Sequence, residues 1–172
     1  MHRSIPGIAL AAALAAPCLA EAAAPVSATE IAAYDGDHRA VYARIDRDID
    51  AHLAQLQRWV RQRSISAQND GVVEMANLLA DDLRGLGFSE VALVPTKGHP
   101  GVFGHYDAKA ERTLVVYMMY DVQPVDPNWR IDDPFAGELV DLPIGTVLMA
   151  RGATNQKGPQ RAFLNAVDAI IA

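Results

Sequence analysis

An uninterrupted run of apolar residues near the middle of the chain constrains the fold more than any other feature. Residues Thr113 to Met119 read TLVVYMM, without the alternation of polar and apolar residues that marks a half-exposed strand. Such a run is typical of a central strand that is covered on both faces. We therefore predict a sheet that contains this strand and carries helices against it.

Two amphipathic helices are predicted before this run and one after it. Apolar residues recur every three or four positions over 44–63 and again over 72–86, which is the spacing of a helix with one buried face. Gly87 follows the second helix, where a terminal glycine is common. Pro159 suits the first turn of the third helix.

Four shorter strands are predicted at 90–94, 101–105, 138–141 and 146–150, the last two as a hairpin. This order of helices and strands predicts the α/β class, with helices packed on a mixed β-sheet. No strand follows the last predicted helix within the 172 residues. Because such a helix normally returns the chain to the sheet, we expect a fold that is incomplete at its C-terminus.

The first 24 residues have the layout of a signal peptide. A short basic start precedes an Ala-rich apolar stretch, and small residues allow cleavage near Ala20 to Ala24. The stretch is shorter than the roughly 20 apolar residues that span a bilayer. We expect an exported protein, periplasmic or extracellular, without a stable membrane anchor and with a flexible arm at 25–43. A buried Ala-rich helix is the alternative interpretation.

Composition excludes several classes of function. The chain has 15 Lys and Arg against 21 Asp and Glu, a net charge of −6 without a basic run, so nucleic acid is not an expected partner. Cys18 is the single cysteine and lies within the predicted signal peptide. The predicted mature chain therefore has neither a disulfide nor a thiol nucleophile.

Several motifs occur in order between the apolar run and the last helix. They read DVQPVD at 121–126, Trp at 129, DPF at 133–135, RGA at 151–153 and KGP at 157–159. From about Leu53 to Ala172 the chain resembles the two-zinc family of acetylornithine deacetylase, succinyl-diaminopimelate desuccinylase, aminoacylase, glutamate carboxypeptidase and carnosine-type dipeptidases, peptidase family twenty. The dipeptidase branch is the most similar.

The resemblance implies that residues 44–172 are the N-terminal part of a zinc-peptidase-like catalytic domain. It implies an enzyme that uses zinc to hydrolyse a peptide or an N-acyl amino acid. It also implies a homodimer formed through a domain that these residues do not contain.

The resemblance assigns positions to the metal site, and this chain departs from the family at most of them. The zinc-binding His of the family falls on Met119, the bridging Asp on Asn155 and the next acidic residue on Gln156, whereas the orienting Asp is retained as Asp121. A thioether suits copper(I) rather than zinc, and a neutral amide lacks the charge that holds two dications together. We therefore expect no ordinary two-zinc centre. The alternatives are a core role for Met119 and polar capping of the next helix by Asn155 and Gln156.

Other candidate residues are interpreted as structural. His105 and Asp107 spell the His-x-Asp pattern but precede the apolar run, so we expect His105 at a surface or sheet edge. His99 lies in a loop and is expected to be structural. No two glutamates are adjacent, so the general-base region of the family is absent from these residues.

Three hypotheses remain open at this point. The first is a hydrolase by descent that is inactive as this chain. The second is a non-catalytic relative that binds a peptide or a partner without hydrolysis. The third is a truncated product that would lack cooperative unfolding.

Overall fold

A computed structural model describes residues 36–172. The predicted signal peptide and most of the predicted arm, residues 1–35, lie outside the described residues. Within the described part, no helix combines the length and the apolar character needed to cross a bilayer.

Four α-helices and one short 3-10 helix make up the helical part of the described chain. They are α1 (Arg39–Arg47), α2 (Ile49–Arg61), the 3-10 turn Ser66–Gln68, α3 (Val72–Gly85) and α4 (Lys157–Ile171). The first predicted helix begins five residues earlier than expected and is interrupted at Asp48, whose backbone leaves the helical conformation. The expected end of α3 is confirmed, because Gly87 adopts the left-handed conformation with φ +86°.

Two antiparallel hairpins form the strands. β1 (Glu90–Val94) pairs with β2 (Gly101–His105), and β3 (Glu138–Leu142) pairs with β4 (Gly145–Met149). These four strands confirm the predicted ones to within one residue at each end. The α/β class is therefore confirmed, but in residues 36–172 the strands form two separate two-stranded sheets instead of one continuous mixed sheet.

The central apolar run does not form the predicted strand. Residues 113–119 lie outside every helix and strand, and Leu114, Val115 and Tyr117 are 80%, 86% and 84% exposed. A central strand needs a hydrogen-bonding neighbour on each side. The four strands of the described chain pair only within their own hairpins, so they provide no such neighbour. The prediction of a covered central strand is wrong for the described structure.

The main apolar core lies between α2, α3 and α4. Its buried members are Trp59, Met75, Leu79, Leu83 and Leu164. The β1–β2 hairpin packs on α3 through Val91 and Val102. Close approach is possible because position 104 is glycine: a Cβ there would lie 2.9 Å from Leu83 Cδ1. A smaller cluster of Ile65, Val122 and Phe135 supports the segment that leads to the candidate site.

A buried polar network joins the same three helices. Asp82 of α3 accepts hydrogen bonds from Trp59 Nε1 at 2.7 Å and from Arg161 Nη1 at 3.0 Å, and it also pairs with Arg58. The Arg161 guanidinium lies 5.0 Å from the centre of the Trp59 ring. Asp82, Trp59 Nε1 and Arg161 thus each have a hydrogen-bond partner within the network.

Candidate functional site

Two adjoining pockets lie where the segment 117–123 meets the loop 150–156. The first, of about 140 Å³, is lined by Asp121, Val122, Gln123, Trp129, Ala150, Arg151, Gly152, Thr154, Asn155 and Gln156. The second, of about 210 Å³, is lined by Tyr117, Met118, Met119, Asn155, Gln156, Pro159 and Gln160. The structure therefore brings Asp121 and Asn155 to one pocket, and Met119 and Asn155 to its neighbour.

Asp121 is held in place by the loop that follows α2. Ser66 Oγ donates a hydrogen bond to Asp121 Oδ2 at 2.7 Å. The main chains of the two segments are also joined, because Val122 N donates to Ser64 O at 2.9 Å and Ser64 Oγ donates to Tyr120 O at 2.8 Å. The partner of Asp121 is thus a neutral hydroxyl. Ser66 was not among the candidate residues selected from the sequence.

The histidines near the site have structural or surface positions. His99 Nε2 lies 3.0 Å from the carbonyl oxygen of Ser66, which agrees with the structural role expected for it. His105 ends β2 on the surface, with Nδ1 3.8 Å from a Glu90 carboxylate oxygen, and Asp107 pairs with Lys109. The expectation that His105 lies at a surface or sheet edge is confirmed.

Two glycines shape the loop that carries Asn155. Gly152 has φ +90°, and a Cβ there would lie 2.9 Å from Val122 Cγ1. A Cβ at Gly158 would lie 1.8 Å from the carbonyl oxygen of Ala153, a distance no side chain can occupy. The glycines of the RGA and KGP motifs therefore allow the loop to fold back on the start of α4 and on Val122.

The Lys157 side chain joins the start of α4 to the end of α2. Its side chain is fully buried, and Nζ donates to the carbonyl oxygen of Trp59 at 3.0 Å and to that of Gln62. These carbonyls lie at the C-terminal end of α2, where a positive charge is favourable. Burial lowers the pKa of the Lys157 ammonium to about 8.

Met119 and Gln156 are in contact, and neither has the role expected as an alternative. Gln156 occupies the N-cap position of α4, but its side chain makes no capping bond. Its Nε2 donates instead to Met119 Sδ at 3.8 Å. Met119 is 45% exposed, so it is not a core residue. The core role of Met119 and capping by the Gln156 side chain are therefore wrong, because these two side chains contact each other at the pocket wall.

The residues present do not fit a two-zinc centre. A zinc site is built from thiolate, imidazole and carboxylate ligands. The family's ligand positions here provide a thioether and a carboxamide, with Asp121 as the retained carboxylate. Among residues 36–172, no three His, Cys, Asp or Glu side chains come close enough together to hold a metal ion.

Arg151 and Trp129 are site residues that sequence reasoning did not select. Arg151 Nη2 donates to the carbonyl oxygen of Pro124 at 3.0 Å and lies 3.6 Å from an Asp126 carboxylate oxygen. The guanidinium carbon lies 4.9 Å from the centre of the Trp129 ring. Both residues belong to motifs that carried the family resemblance. The available signal was an arginine placed directly after a predicted strand.

The fold and the curated relatives define the class as a metallopeptidase-type domain. The Cys-Gly metallodipeptidase DUG1 of Candida albicans is 33% identical over 137 residues, which are 68% of this chain and 27% of that protein. The Cys-Gly metallodipeptidase dug1 of Schizosaccharomyces pombe is 28% identical over 144 residues, or 75% and 29%. No protein-family model matches the chain.

Two solved structures identify the family. The M20 family metallo-carboxypeptidase Sso-CP2 from Sulfolobus solfataricus has a TM-score of 0.63 at 36% identity, over 70% of this chain and 27% of its own. The dipeptidase Dug1p from Saccharomyces cerevisiae has a TM-score of 0.63 at 25% identity, over 76% and 30%. Over this partial region, the chain is a member of peptidase family M20, which confirms the resemblance. It spans less than a third of the length of these relatives.

Proposed function

We propose that this chain carries part of a hydrolase of the dipeptidase or deacylase type, whose substrates are peptides or N-acyl amino acids. We propose further that the chain does not hydrolyse them as it stands. The relationship to metallodipeptidases supports the first statement. The second is carried by one observation: the ligand positions of the family hold Met119 and Asn155.

The remaining carboxylate is poorly placed to replace the missing groups. Among the described residues that line the first pocket, Asp121 is the sole carboxylate, and one of its oxygens accepts the hydrogen bond from Ser66. Hydrolysis of an amide needs a base for the attacking water and a cation or hydrogen-bond donors for the developing oxyanion. Asp121 could serve as the base, and Arg151 lines the same pocket, but a single carboxylate cannot replace the several ligands that hold two zinc ions.

The test is a double reversion, Met119→His with Asn155→Asp. Zinc binding is measured by calorimetry, and hydrolysis is measured with Cys-Gly, the dipeptide named for both yeast relatives. We expect the unaltered chain to show neither property and the double variant to bind zinc. The matched control, Met118→His with Asn128→Asp, introduces the same residue types outside the family's ligand positions and should bind none.

Two results would overturn this proposal. Zinc-dependent hydrolysis by the unaltered chain would show that the substituted site is still active. A double variant that folds but binds no zinc would show that the two substitutions are not what separates this chain from its relatives.

A second candidate is a non-catalytic relative that binds a peptide or a partner. It is favoured by the contacts around the altered positions. Ser66 donates a hydrogen bond to Asp121, and the Arg151 guanidinium lies over the Trp129 ring. These contacts hold two charged groups at the first pocket, where a ligand could bind them.

Export and dimerisation belong to the same proposal. We propose export to the periplasm or outside the cell after cleavage near Ala20 to Ala24, which N-terminal sequencing of the natural protein tests.

A homodimer through a further domain follows from the resemblance alone. Light scattering of the natural protein tests it, and a monomer would contradict it.

A further inference from the structure

The first pocket contains one negative and one positive side chain, and each has unused bonding capacity. Asp121 Oδ2 accepts from Ser66, whereas within residues 36–172 no hydrogen bond or ion pair reaches Oδ1. A carboxylate oxygen that lines a pocket without a partner is a favourable site for a charged donor.

Arg151 supplies the positive charge. Its Nη2 donates to the carbonyl oxygen of Pro124, and its Nε is buried, whereas within residues 36–172 no hydrogen bond or ion pair is formed by Nη1, which is the donor left for a ligand. Its closest carboxylate, Asp126, is 3.6 Å away and 63% exposed, so this ion pair is weak. The guanidinium carbon lies 4.9 Å from the centre of the Trp129 ring, and this cation–π contact helps to place the charge beside the pocket. The cation is therefore positioned but not neutralised.

The second pocket adds an apolar compartment beside these charges. Tyr117, Met118, Met119 and Pro159 line it, and it shares the carboxamides of Asn155 and Gln156 with the first pocket. The first pocket, of about 140 Å³, has room for the polar part of a small molecule.

We propose that the two pockets bind a free α-amino acid with an apolar side chain. Its ammonium group pairs with Asp121, its carboxylate pairs with Arg151, and its side chain enters the compartment lined by the two methionines. The inference rests on the second candidate function, since it gives the unreactive pocket a ligand class. It requires neither zinc nor hydrolysis.

The charges select a zwitterion over a simple ion. A plain carboxylate ligand would satisfy Arg151 but would face the charge of Asp121. A plain amine would satisfy Asp121 but would face Arg151. A zwitterion satisfies both, and it leaves no desolvated charge without a partner.

The experiment follows the fluorescence of Trp129 in the full chain, with a chelator present throughout. The ligands are leucine, N-acetyl-leucine, leucinamide and the dipeptide Gly-Leu. We expect saturable binding of leucine. N-acetyl-leucine lacks the ammonium group and leucinamide lacks the carboxylate, so each should bind at least about tenfold more weakly, the loss typical of one missing charged hydrogen bond.

Variants of the protein test the contacts of Asp121 with the ammonium group and of Arg151 with the carboxylate. Asp121→Asn and Arg151→Gln should each weaken leucine binding about tenfold or more. Asp132→Asn and Arg130→Gln are the matched controls, because these exposed residues do not line either pocket. Trp129→Phe removes the signal, whereas the buried Trp59 should not respond.

The outcomes separate this inference from the proposed hydrolase. No saturable response to leucine, or binding of N-acetyl-leucine or leucinamide as tight as that of leucine, would overturn it. Tighter binding of Gly-Leu than of leucine would show that the pocket takes peptides instead. Because the ligand series needs no variant, a misfolded variant does not prevent the test. Zinc-dependent hydrolysis would overturn the proposed inactivity, and it would be measured without the chelator.

Discussion

The Lys157 ammonium group lies 3.0 Å from the carbonyl oxygen of Trp59, and it joins the first residue of α4 to the last turn of α2. Within the described residues it forms no ion pair with a carboxylate. The positive charge is therefore offset by the carbonyl groups at a helix end. The loop that carries Asn155 rests directly on this junction.

Lys157→Met should destabilise the protein by about 1–3 kcal/mol, because it leaves the carbonyls of Trp59 and Gln62 buried without their donor. Urea unfolding followed by circular dichroism measures the change. Lys97→Met, at an exposed position, is the control and should change the free energy of unfolding by less than about 0.5 kcal/mol. Equal effects of the two substitutions would show that the junction has no special role.

The same lysine predicts a dependence of stability on pH. Burial lowers its pKa from 10.5 to about 8, so between these values the unfolded chain binds more protons than the folded protein. Through this group, the free energy of unfolding should therefore rise with pH over that interval. Unfolding midpoints measured across the interval should rise less steeply for Lys157→Met than for the unaltered protein. Parallel curves would contradict the prediction.

Two glycines with different surroundings give a matched pair of substitutions. Gly158→Ala would place a Cβ 1.8 Å from the backbone oxygen of Ala153, so the loop must move. The cost should reach or exceed about 3 kcal/mol, the upper part of the range for overpacking. Gly85→Ala meets no atom within 4 Å and should be neutral or slightly stabilising. Thermal unfolding of both variants measures the contrast, and similar melting temperatures would refute it.

Asp82→Asn tests the polar network between the helices. The substitution removes the anion that faces the buried Arg161 cation, and loss of one partner of a buried pair costs about 3–5 kcal/mol. Asp81→Asn changes the neighbouring, exposed carboxylate, which pairs with Arg84 at the surface, and should cost no more than about 1 kcal/mol. Urea unfolding distinguishes them, and a mild effect at position 82 would show that the network is replaceable.

The parts of the fold that could be predicted from the sequence depend on local signals. The periodicity of 72–86 and the glycine at 87 determine α3 and its end. The β3–β4 hairpin follows from two apolar segments around a short turn, where Gly145 adopts φ +114°. Asp121 and Asn155 could be selected because they lie in or between motifs that occur in the same order in the family.

The parts that could not be predicted depend on residues far apart in the chain. Ser66 and Asp121 are 55 positions apart, so no local pattern reveals their hydrogen bond. A lysine is ordinarily exposed, and the burial of Lys157 becomes visible only when the end of α2 is placed above it. The exposure of residues 113–119 could not be predicted for the same reason. Whether a strand is buried depends on the helices and strands that pack against it, and these come from other parts of the chain.

Amide hydrogen exchange tests the finding that overturned the central strand. Residues 114–117 have exposed side chains and lie outside the sheets, so their amides should exchange nearly as fast as those of an unfolded peptide. The paired amides of the β1–β2 hairpin, which packs on α3, are the internal control and should exchange more slowly. Slow exchange at 114–117 would mean that this segment is hydrogen-bonded as a strand in solution. The segment would then pair with another strand in solution, and the central strand predicted from the sequence would be correct.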